Sequence, residues 1–500
     1  MTAPATLLLT GGRPTPGDDD ARVGTGRLPL VVDLDGTLVR TDTLAEAVIA
    51  VALRLRLGPA LWLLLTRGRA AFKRRISEQA PPAAALLPYN EPLLAWLRAE
   101  KDSGRRLVLA TAADSTVAGA VASHLGLFDD VIASDGSMNL KGAAKADALT
   151  ERFGARGFVY AGDSRADVAV WRAAAGAVVV NAAPAVAAAA RAAAPIEREI
   201  AEPGRGAAAL WHALRPHQWV KNLLVLVPLV TAHAYGDATA WLHVIQAFAA
   251  FCVIASACYI VNDLSDLSAD RAHRRKRARS FASGRASVSS GVALAAVLTA
   301  VGLATGAAAG ALAALGVYAV TTLAYSVRLK ELPLVDVFCL AGLYTLRLFG
   351  GGEAAGHFVS LWLLGFSGFV FLSLALVKRV EELSAGAAGG GRNPARRGYL
   401  VSDAPILQMF GCAAAFAASL VLALFVQSEA TAQTYASPGL LWGCVPLVLF
   451  WQCRLWLATA RGYMHEDPIV YATHDWVSWI VGALLLALLV LAKSLTLFPL

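Results

Sequence analysis

A chain of 500 residues that is 57% hydrophobic and 16% charged, with a mean hydropathy of +0.55, is too apolar for a wholly soluble protein. Its net charge of +8 would suit nucleic acid, but Lys and Arg gather in loops between apolar runs, which favours membrane topology and phosphate binding over a nucleic-acid partner. Cys252, Cys258, Cys339, Cys412, Cys444 and Cys453 lie in apolar segments without a CxxC pair, so they read as packing residues rather than disulfides or zinc ligands.

The opening MTAPATLLLT lacks a positively charged start and runs into the loop-like GGRPTPGDDD, so residues 1–26 are expected to be a flexible N-terminus without a secretory signal. Residues 27–195 then alternate apolar strands with helical segments, the pattern of a doubly wound α/β domain. RLPLVV leads into DLDGT, Asp33 to Thr37; RRLVLA ends in Thr111; NLKGAAKADAL offers Lys145; and FVYA ends in GDSRAD, which carries Asp163 and Asp167. Ligands of open α/β sheets bind beyond the carboxyl ends of the strands, where these polar ends would converge.

The order of these motifs resembles the haloacid dehalogenase (HAD) superfamily of phosphatases. The resemblance implies a Rossmann-like domain in which Asp33 attacks phosphorus and Asp35 protonates the leaving oxygen, then activates water. Thr111 would hold phosphoryl oxygens and Lys145 would offset their charge. Asp33, Asp35, Asp163 and Asp167 would form a Mg²⁺ site, and residues 40–105 would form a helical cap. A carboxylate nucleophile gives covalent catalysis, and a divalent cation with a Lys neutralises the charge that would repel it. Within the cap interval, Leu61 to Leu65 is too short to cross a bilayer, but with Arg67, Arg69, Lys73, Arg74 and Arg75 it could rest on lipid headgroups; a buried cap helix is the equal alternative.

Residues 181–210 are Ala-rich and punctuated by Pro184, Pro195 and Pro203, which reads as a connector, with 196–212 as the linker between domains. From 213 to 500 the chain reads as an all-α polytopic membrane domain. Nine apolar segments fall near 220–234, 241–261, 288–308, 311–327, 333–350, 358–377, 404–426, 437–457 and 476–497, with eight also possible because the first is short and the third and fourth nearly merge. Loops 262–287, 328–332, 378–403 and 454–475 hold nearly all the Lys and Arg of this part, so the positive-inside rule places them in the cytosol with the amino-terminal domain.

The most informative stretch is NDLSDLSADRAHRRKR. Asp263, Asp266 and Asp270 follow at spacings of three and four, so on one helix they would share a face, and uncompensated acids there repel one another unless a divalent cation lies between them. A second polar cluster, YSVRLKELPLVD, holds Tyr325, Arg328, Lys330 and Asp336. Asp336 has no acid four residues to either side, and Arg328 and Lys330 suit an anion better than a second metal. Arg347, inside an apolar segment, is a costly cation that suits a lipid phosphate or else snorkels to the interface.

These motifs resemble the UbiA superfamily of intramembrane prenyltransferases. LRPHQWVKN, the NDxxDxxxDRxHxxKRxR run, YSVRLKxxPxxD and HEDPIVYATHD are similar to its decaprenyl-phosphate phosphoribosyltransferase branch. Ser280 departs from the Pro usual in that branch, and the HAD-like domain is an addition to it. The resemblance implies a bifunctional enzyme of the bacterial plasma membrane, with both active sites cytosolic. Phosphoribosyl diphosphate, polyprenyl phosphate and the lipid bilayer would be its partners, and a homo-oligomer is compatible with the sequence. Asp263, Asp266 and Asp270 would bind Mg²⁺ on the diphosphate, with Asn262 orienting it. His273, Lys276, Arg277, Arg279 and Lys330 would hold phosphate, Tyr325 would touch ribose or phosphate, and Lys221, Lys378 and Arg379 would assist Arg347. Asp467 and Asp475 match the late motif without an assigned role. The competing expectation is an aromatic prenyltransferase of quinone or haem biosynthesis, weakened by the absent second DxxxD.

Overall fold

A computed structural model describes residues 27–53, 58–135, 138–202, 206–388, 398–464 and 467–495. The chain forms two compact units, one from Met1–Arg40, Trp62–Ala85 and Tyr89–Glu202, the other from Thr41–Leu61, Leu86–Pro88 and Pro203–Leu500. The interval expected as a cap is therefore shared between units, since its first helix, Thr43–Leu53, falls in the second.

In the first unit a six-stranded parallel sheet runs β3-β2-β1-β4-β5-β6, with β1 at Leu30–Val32, β2 at Leu107–Asp114, β3 at Asp130–Ser134, β4 at Val159–Gly162, β5 at Gly176–Val180 and β6 at Ile196–Ile200. The strands β1, β4 and β5 are wholly buried apolar runs, as expected of a parallel sheet covered on both faces. The chain builds outward from β1 through β2 to β3, then returns to β1's other side with β4. The crevice beyond the ends of β1 and β4 is thus the switch point where ligands bind in such sheets. Helix Glu91–Asp102 starts at Asn90, whose side chain accepts from the Leu93 amide at 3.2 Å, and buries Leu93, Leu94 and Leu97.

The expected linker differs from what folds. Its first residues, Ile196–Ile200, form the edge strand β6, whose charged IEREI sequence discourages further pairing at that edge. Arg105, buried at the foot of β2, forms ion pairs with Glu100 and Glu197, giving the strand a polar anchor that the Ala-rich composition does not reveal.

In the second unit seven helices among the described residues are long and apolar enough to cross a membrane: Ala238–Ser265, Val288–Ala308, Val335–Ala355, Leu361–Ala387, Val401–Val426, Pro438–Ala460 and Trp476–Ser494. Two of the nine expected segments are shorter. Leu312–Val327 has 16 residues, about 24 Å of helix against a core of about 30 Å. The segment near 220–234 begins as the 3-10 helix Pro216–Leu226 and continues as the short helix Val227–Thr231, with Pro228, which lacks an amide proton, at its start. Packing here is close: a Cβ on Gly351 would meet the Val225 carbonyl oxygen at 2.0 Å, so only glycine lets helix Val335–Ala355 approach the segment that carries Lys221 and Asn222.

Candidate active sites

The loop after β1 turns back at once, with the Leu38 amide donating to the Asp33 carbonyl at 3.2 Å and the Val39 amide to that of Leu34 at 2.9 Å. Gly36 makes the turn at φ +81, and a Cβ there would lie 2.2 Å from the Asp163 carboxylate, so glycine is needed for both conformation and space. The turn presents Asp33 to Lys145, whose ammonium donates to Asp33 at 2.8 Å and to the Tyr160 hydroxyl at 2.8 Å. Tyr160 in turn donates to Asp167 at 2.8 Å. Asp167 also accepts from the Asp163 and Ser164 amides and the Ser164 hydroxyl, so it braces the loop that carries Asp163. Thr37 donates to Asp163 at 3.2 Å. Thr111, buried in β2, accepts from the Ala113 amide at 3.0 Å, and the charge of Asp35 acts on both Lys145 and Asp163.

Asp33, Asp163 and Asp167 place carboxylate oxygens within 4.8 Å of one another, a donor set suited to a hard divalent cation. Burial pushes Asp33 up to about 6 against the opposing pull of Lys145, and burial with the charges of Asp167 and Asp33 pushes Asp163 up to about 8. Burial alone would lower Lys145, but Asp33 and Asp167 raise it overall and keep it charged. Sequence motifs missed Tyr160 and gave Thr37, the end of DLDGT, no role; the one signal for Tyr160 is a polar atom in a strand that is otherwise apolar.

Lys73 does not face outward as the headgroup reading had it. Its ammonium donates to the Ala112 carbonyl at 2.8 Å and to Asn139 at 2.7 Å.

In the second unit the three acids do not stand on one unbroken helix. Helix Ala238–Ser265 ends at Asp266, which has φ −104 and ψ 11, and Leu267–Ala272 starts as a separate helix, yet one Arg279 nitrogen reaches both Asp263 and Asp270. Among the described residues these three acids do not gather as Asp33, Asp163 and Asp167 do. Nor are they uncompensated. Asp263 accepts from Arg215 at 2.6 Å and Arg279 at 3.2 Å, Asp270 accepts from Arg279 at 2.8 Å, and Lys330 donates to both oxygens of Asp266 at 2.8 Å and to Asn262 at 3.2 Å. Arg215, within LRPHQWVKN, was not singled out from the sequence. His273, Lys276, Arg277 and Arg328 are exposed, and His273 accepts from the Arg275 amide at 3.2 Å. Tyr325 is half-buried on the last turn of Leu312–Val327.

Asp336 is enclosed: it accepts from Tyr399, and Arg379, itself fully buried, meets its other oxygen at 2.5 Å outside hydrogen-bond geometry. Tyr399 also accepts from the amide of Leu334, whose φ of 64 is rare for a branched residue. The group acts as a brace for the turn that carries Lys330.

A second cationic group gathers around Asp467 and Arg347. Lys221 donates to Asp467 at 2.6 Å and Lys378 to the same oxygen at 3.3 Å; Tyr344 donates to the other oxygen at 3.3 Å. Burial alone would raise Asp467, but Lys221 and Lys378 hold it well below the usual carboxylate range. Arg347, midway along Val335–Ala355, donates to Asn222 at 2.8 Å, the Leu343 carbonyl at 2.5 Å and Tyr318 at 3.0 Å, and lies over the Tyr318 and Tyr344 rings at 4.7 and 5.4 Å. Only 4% exposed, it does not snorkel. Asp475 caps helix Trp476–Ser494 and pairs with Arg454. Of the late motif, residues 465 and 466 lie outside the described residues.

A parallel α/β domain with a carboxylate cluster at its switch point, and seven helices among the described residues long and apolar enough to cross a membrane, define a multi-pass membrane protein with an added α/β domain. Family models agree: the UbiA prenyltransferase family matches residues 223–462 and the haloacid dehalogenase-like hydrolases match residues 30–172. The chain is 39% identical to the uncharacterized protein y4nM of Sinorhizobium fredii, over 93% of this chain and 91% of that one. It is 35% identical to the nodulation protein NoeC of Azorhizobium caulinodans, over 57% of this chain and 91% of that protein. With a decaprenyl-phosphate phosphoribosyltransferase of Corynebacterium glutamicum it shares 36% identity over 34% of this chain and 53% of that enzyme. The chain belongs to the UbiA prenyltransferase family and carries a HAD-like hydrolase domain ahead of its membrane helices.

Proposed function

We propose that the membrane unit transfers 5-phosphoribose from phosphoribosyl diphosphate to a polyprenyl phosphate, and that the HAD-like domain then removes the 5-phosphate. The product would be polyprenyl-phosphoryl-ribose, a precursor of arabinofuranose donors. The observation that carries this reading is the pair of anion-attracting places in one bundle. One is the mouth lined by Arg215, Arg279 and Lys330; the other is the interior, where Lys221 and Lys378 share Asp467 and the described partners of Arg347 are all neutral. A buried cation without a matching charge is costly, so the interior suits an anionic acceptor rather than an aromatic ring.

In this reading the acids and cations of the mouth exchange partners when donor binds. Asp263 and Asp266, with Asp270, would hold the Mg²⁺ that neutralises the diphosphate. Arg279 and Lys330, with His273, Lys276 and Arg277 nearby in the chain, would take phosphate oxygens, and Asn262 would orient the group. The acceptor's phosphate oxygen, held by Arg347 and Lys221, forms the new bond to the anomeric carbon as the bond to diphosphate breaks. In the HAD-like domain the Asp33 carboxylate attacks phosphorus while Asp35 gives a proton to the leaving ribose oxygen; Asp35 then takes a proton from the water that cleaves the aspartyl phosphate. Lys145 and Thr111 hold the phosphoryl oxygens, and Asp33 with Asp163 would hold Mg²⁺, which supplies charge neutralisation. The positive-inside distribution supports a cytosolic location for both sites.

Purified protein in detergent, given labelled phosphoribosyl diphosphate with polyprenyl phosphate, is expected to yield a labelled lipid, and an Asp263→Ala variant to yield none. Transfer of a prenyl group to an aromatic acceptor, with no use of phosphoribosyl diphosphate, would overturn the reading.

A further inference from the structure

Residues 41–61 lie within the stretch that matches HAD-like hydrolases, yet they fold as part of the second unit. Helix Thr43–Leu53 opens on Asp42, which accepts from the Ala45 amide at 2.9 Å, and its Ala45 and Ile49 pack on a cluster that includes Ile260, Leu264 and Leu267. Those are the residues that lead into and out of the break at Asp266. Glu46, in the first turn, accepts from both terminal nitrogens of Arg271 at 2.8 and 2.5 Å, and Thr41 donates to it as well. Both side chains are nearly enclosed, at 8% and 12% exposure, and Arg271 also donates through Nε to the Ala282 carbonyl at 3.0 Å. One guanidinium thus ties three elements: the helix from the HAD-like stretch, the short helix that carries Asp270, and the loop that follows Arg279.

We infer that Glu46 is a positioning residue for the phosphate-binding mouth of the transferase unit, acting through Arg271. A bidentate carboxylate fixes both position and orientation of an Arg, which a monodentate or neutral partner does not. Arg271 sits directly beside Asp270, and the run after it carries Arg274, Arg275, Lys276 and Arg277. Held by Glu46, Arg271 leaves Asp270 to Arg279. Deprived of Glu46, it becomes an enclosed charge without a counter-ion, and the acids of its own loop are the groups that can satisfy it. The donor would then meet a mouth whose acids are engaged differently. The motif-bearing helices alone would lack this pin, so a segment counted by sequence as hydrolase is a working part of the transferase.

The inference rests on the phosphoribosyl transfer proposed above, and its test separates the two. Full-length Glu46→Gln, Arg271→Gln and the double variant would be compared with wild type for the KM and kcat of phosphoribosyl diphosphate, for hydrolysis of p-nitrophenyl phosphate, and for amide hydrogen exchange across residues 267–285. Glu46→Gln is expected to raise the KM for phosphoribosyl diphosphate by about tenfold or more. Its hydrolysis of p-nitrophenyl phosphate should match wild type, and exchange in 267–285 should quicken. The double variant is expected to be no worse than Glu46→Gln, because the second change removes the misdirected charge. An unchanged KM in an active protein, or strictly additive losses, would overturn the inference. Should the wild type transfer no phosphoribose, the functional reading fails, yet unaltered exchange in Glu46→Gln would still overturn the positioning role and faster exchange would still support it.

Discussion

At the scale of single residues, the HAD-like site shows how far a motif carries and where it stops. The convergence of Asp33, Asp163 and Lys145 was legible because each follows or faces a strand end. Tyr160 was not, since a tyrosine in an apolar strand looks like core; only the fold reveals that its hydroxyl joins Lys145 to Asp167. Replacing it by Phe removes both bonds and leaves buried partners short, at a cost of about 1–3 kcal/mol. Tyr160→Phe is therefore expected to lower the melting temperature and to reduce p-nitrophenyl phosphate hydrolysis by about tenfold through a displaced Lys145; full activity would show that the bridge is idle. Gly36→Ala asks for φ +81 and for space that the Asp163 carboxylate occupies. That variant is expected to lose hydrolysis while its transferase activity persists.

Elements obey constraints that their own sequences express only partly. Spacing of three and four among the acids predicted one helical face, but helix Ala238–Ser265 stops at Asp266; Arg279 is shared by Asp263 and Asp270, and Lys330 takes Asp266. Nothing local marks that break, and Arg215 and Lys330, which pair with Asp263 and Asp266, come from distant parts of the sequence. The same logic governs Asp336, which reads as a site residue beside Lys330 but is enclosed with Arg379 and Tyr399. Removing Asp336 leaves Arg379 its pair with Glu382 but takes away its second acid and the acceptor of the Tyr399 hydroxyl, at a cost of about 1–3 kcal/mol. Asp336→Leu is expected to unfold at markedly lower temperature in detergent than wild type. If instead it were fully stable and failed only in donor affinity, Asp336 would be a ligand of the substrate rather than a brace. Strand β6 teaches a related lesson, since its pairing partner β5 and the Arg105–Glu197 ion pair, rather than its own composition, decide that Ile196–Ile200 is sheet and not linker.

For the whole molecule, the two fold classes were legible because they rest on patterns that repeat: strand ends bearing acids in one part, long apolar runs separated by basic loops in the other. The membrane count was less so, because the pieces at Pro216–Thr231 and Leu312–Val327 are apolar enough to suggest spans but shorter than the seven helices among the described residues that are long and apolar enough to cross. The assignment of residues 41–61 was not legible at all, since it depends on Glu46 finding Arg271 more than two hundred positions away. The central claim is that one chain both attaches phosphoribose to a lipid and strips its 5-phosphate. Tethering the two activities raises the local concentration of the hydrolase near the transferase product. The most direct measurement is lipid mass spectrometry of products made from phosphoribosyl diphosphate and polyprenyl phosphate by wild type and by Asp33→Asn. The account predicts polyprenyl-phosphoryl-ribose from wild type and a lipid heavier by one phosphate from the variant; a wild-type product that keeps its 5-phosphate, or identical products from the two proteins, would contradict it.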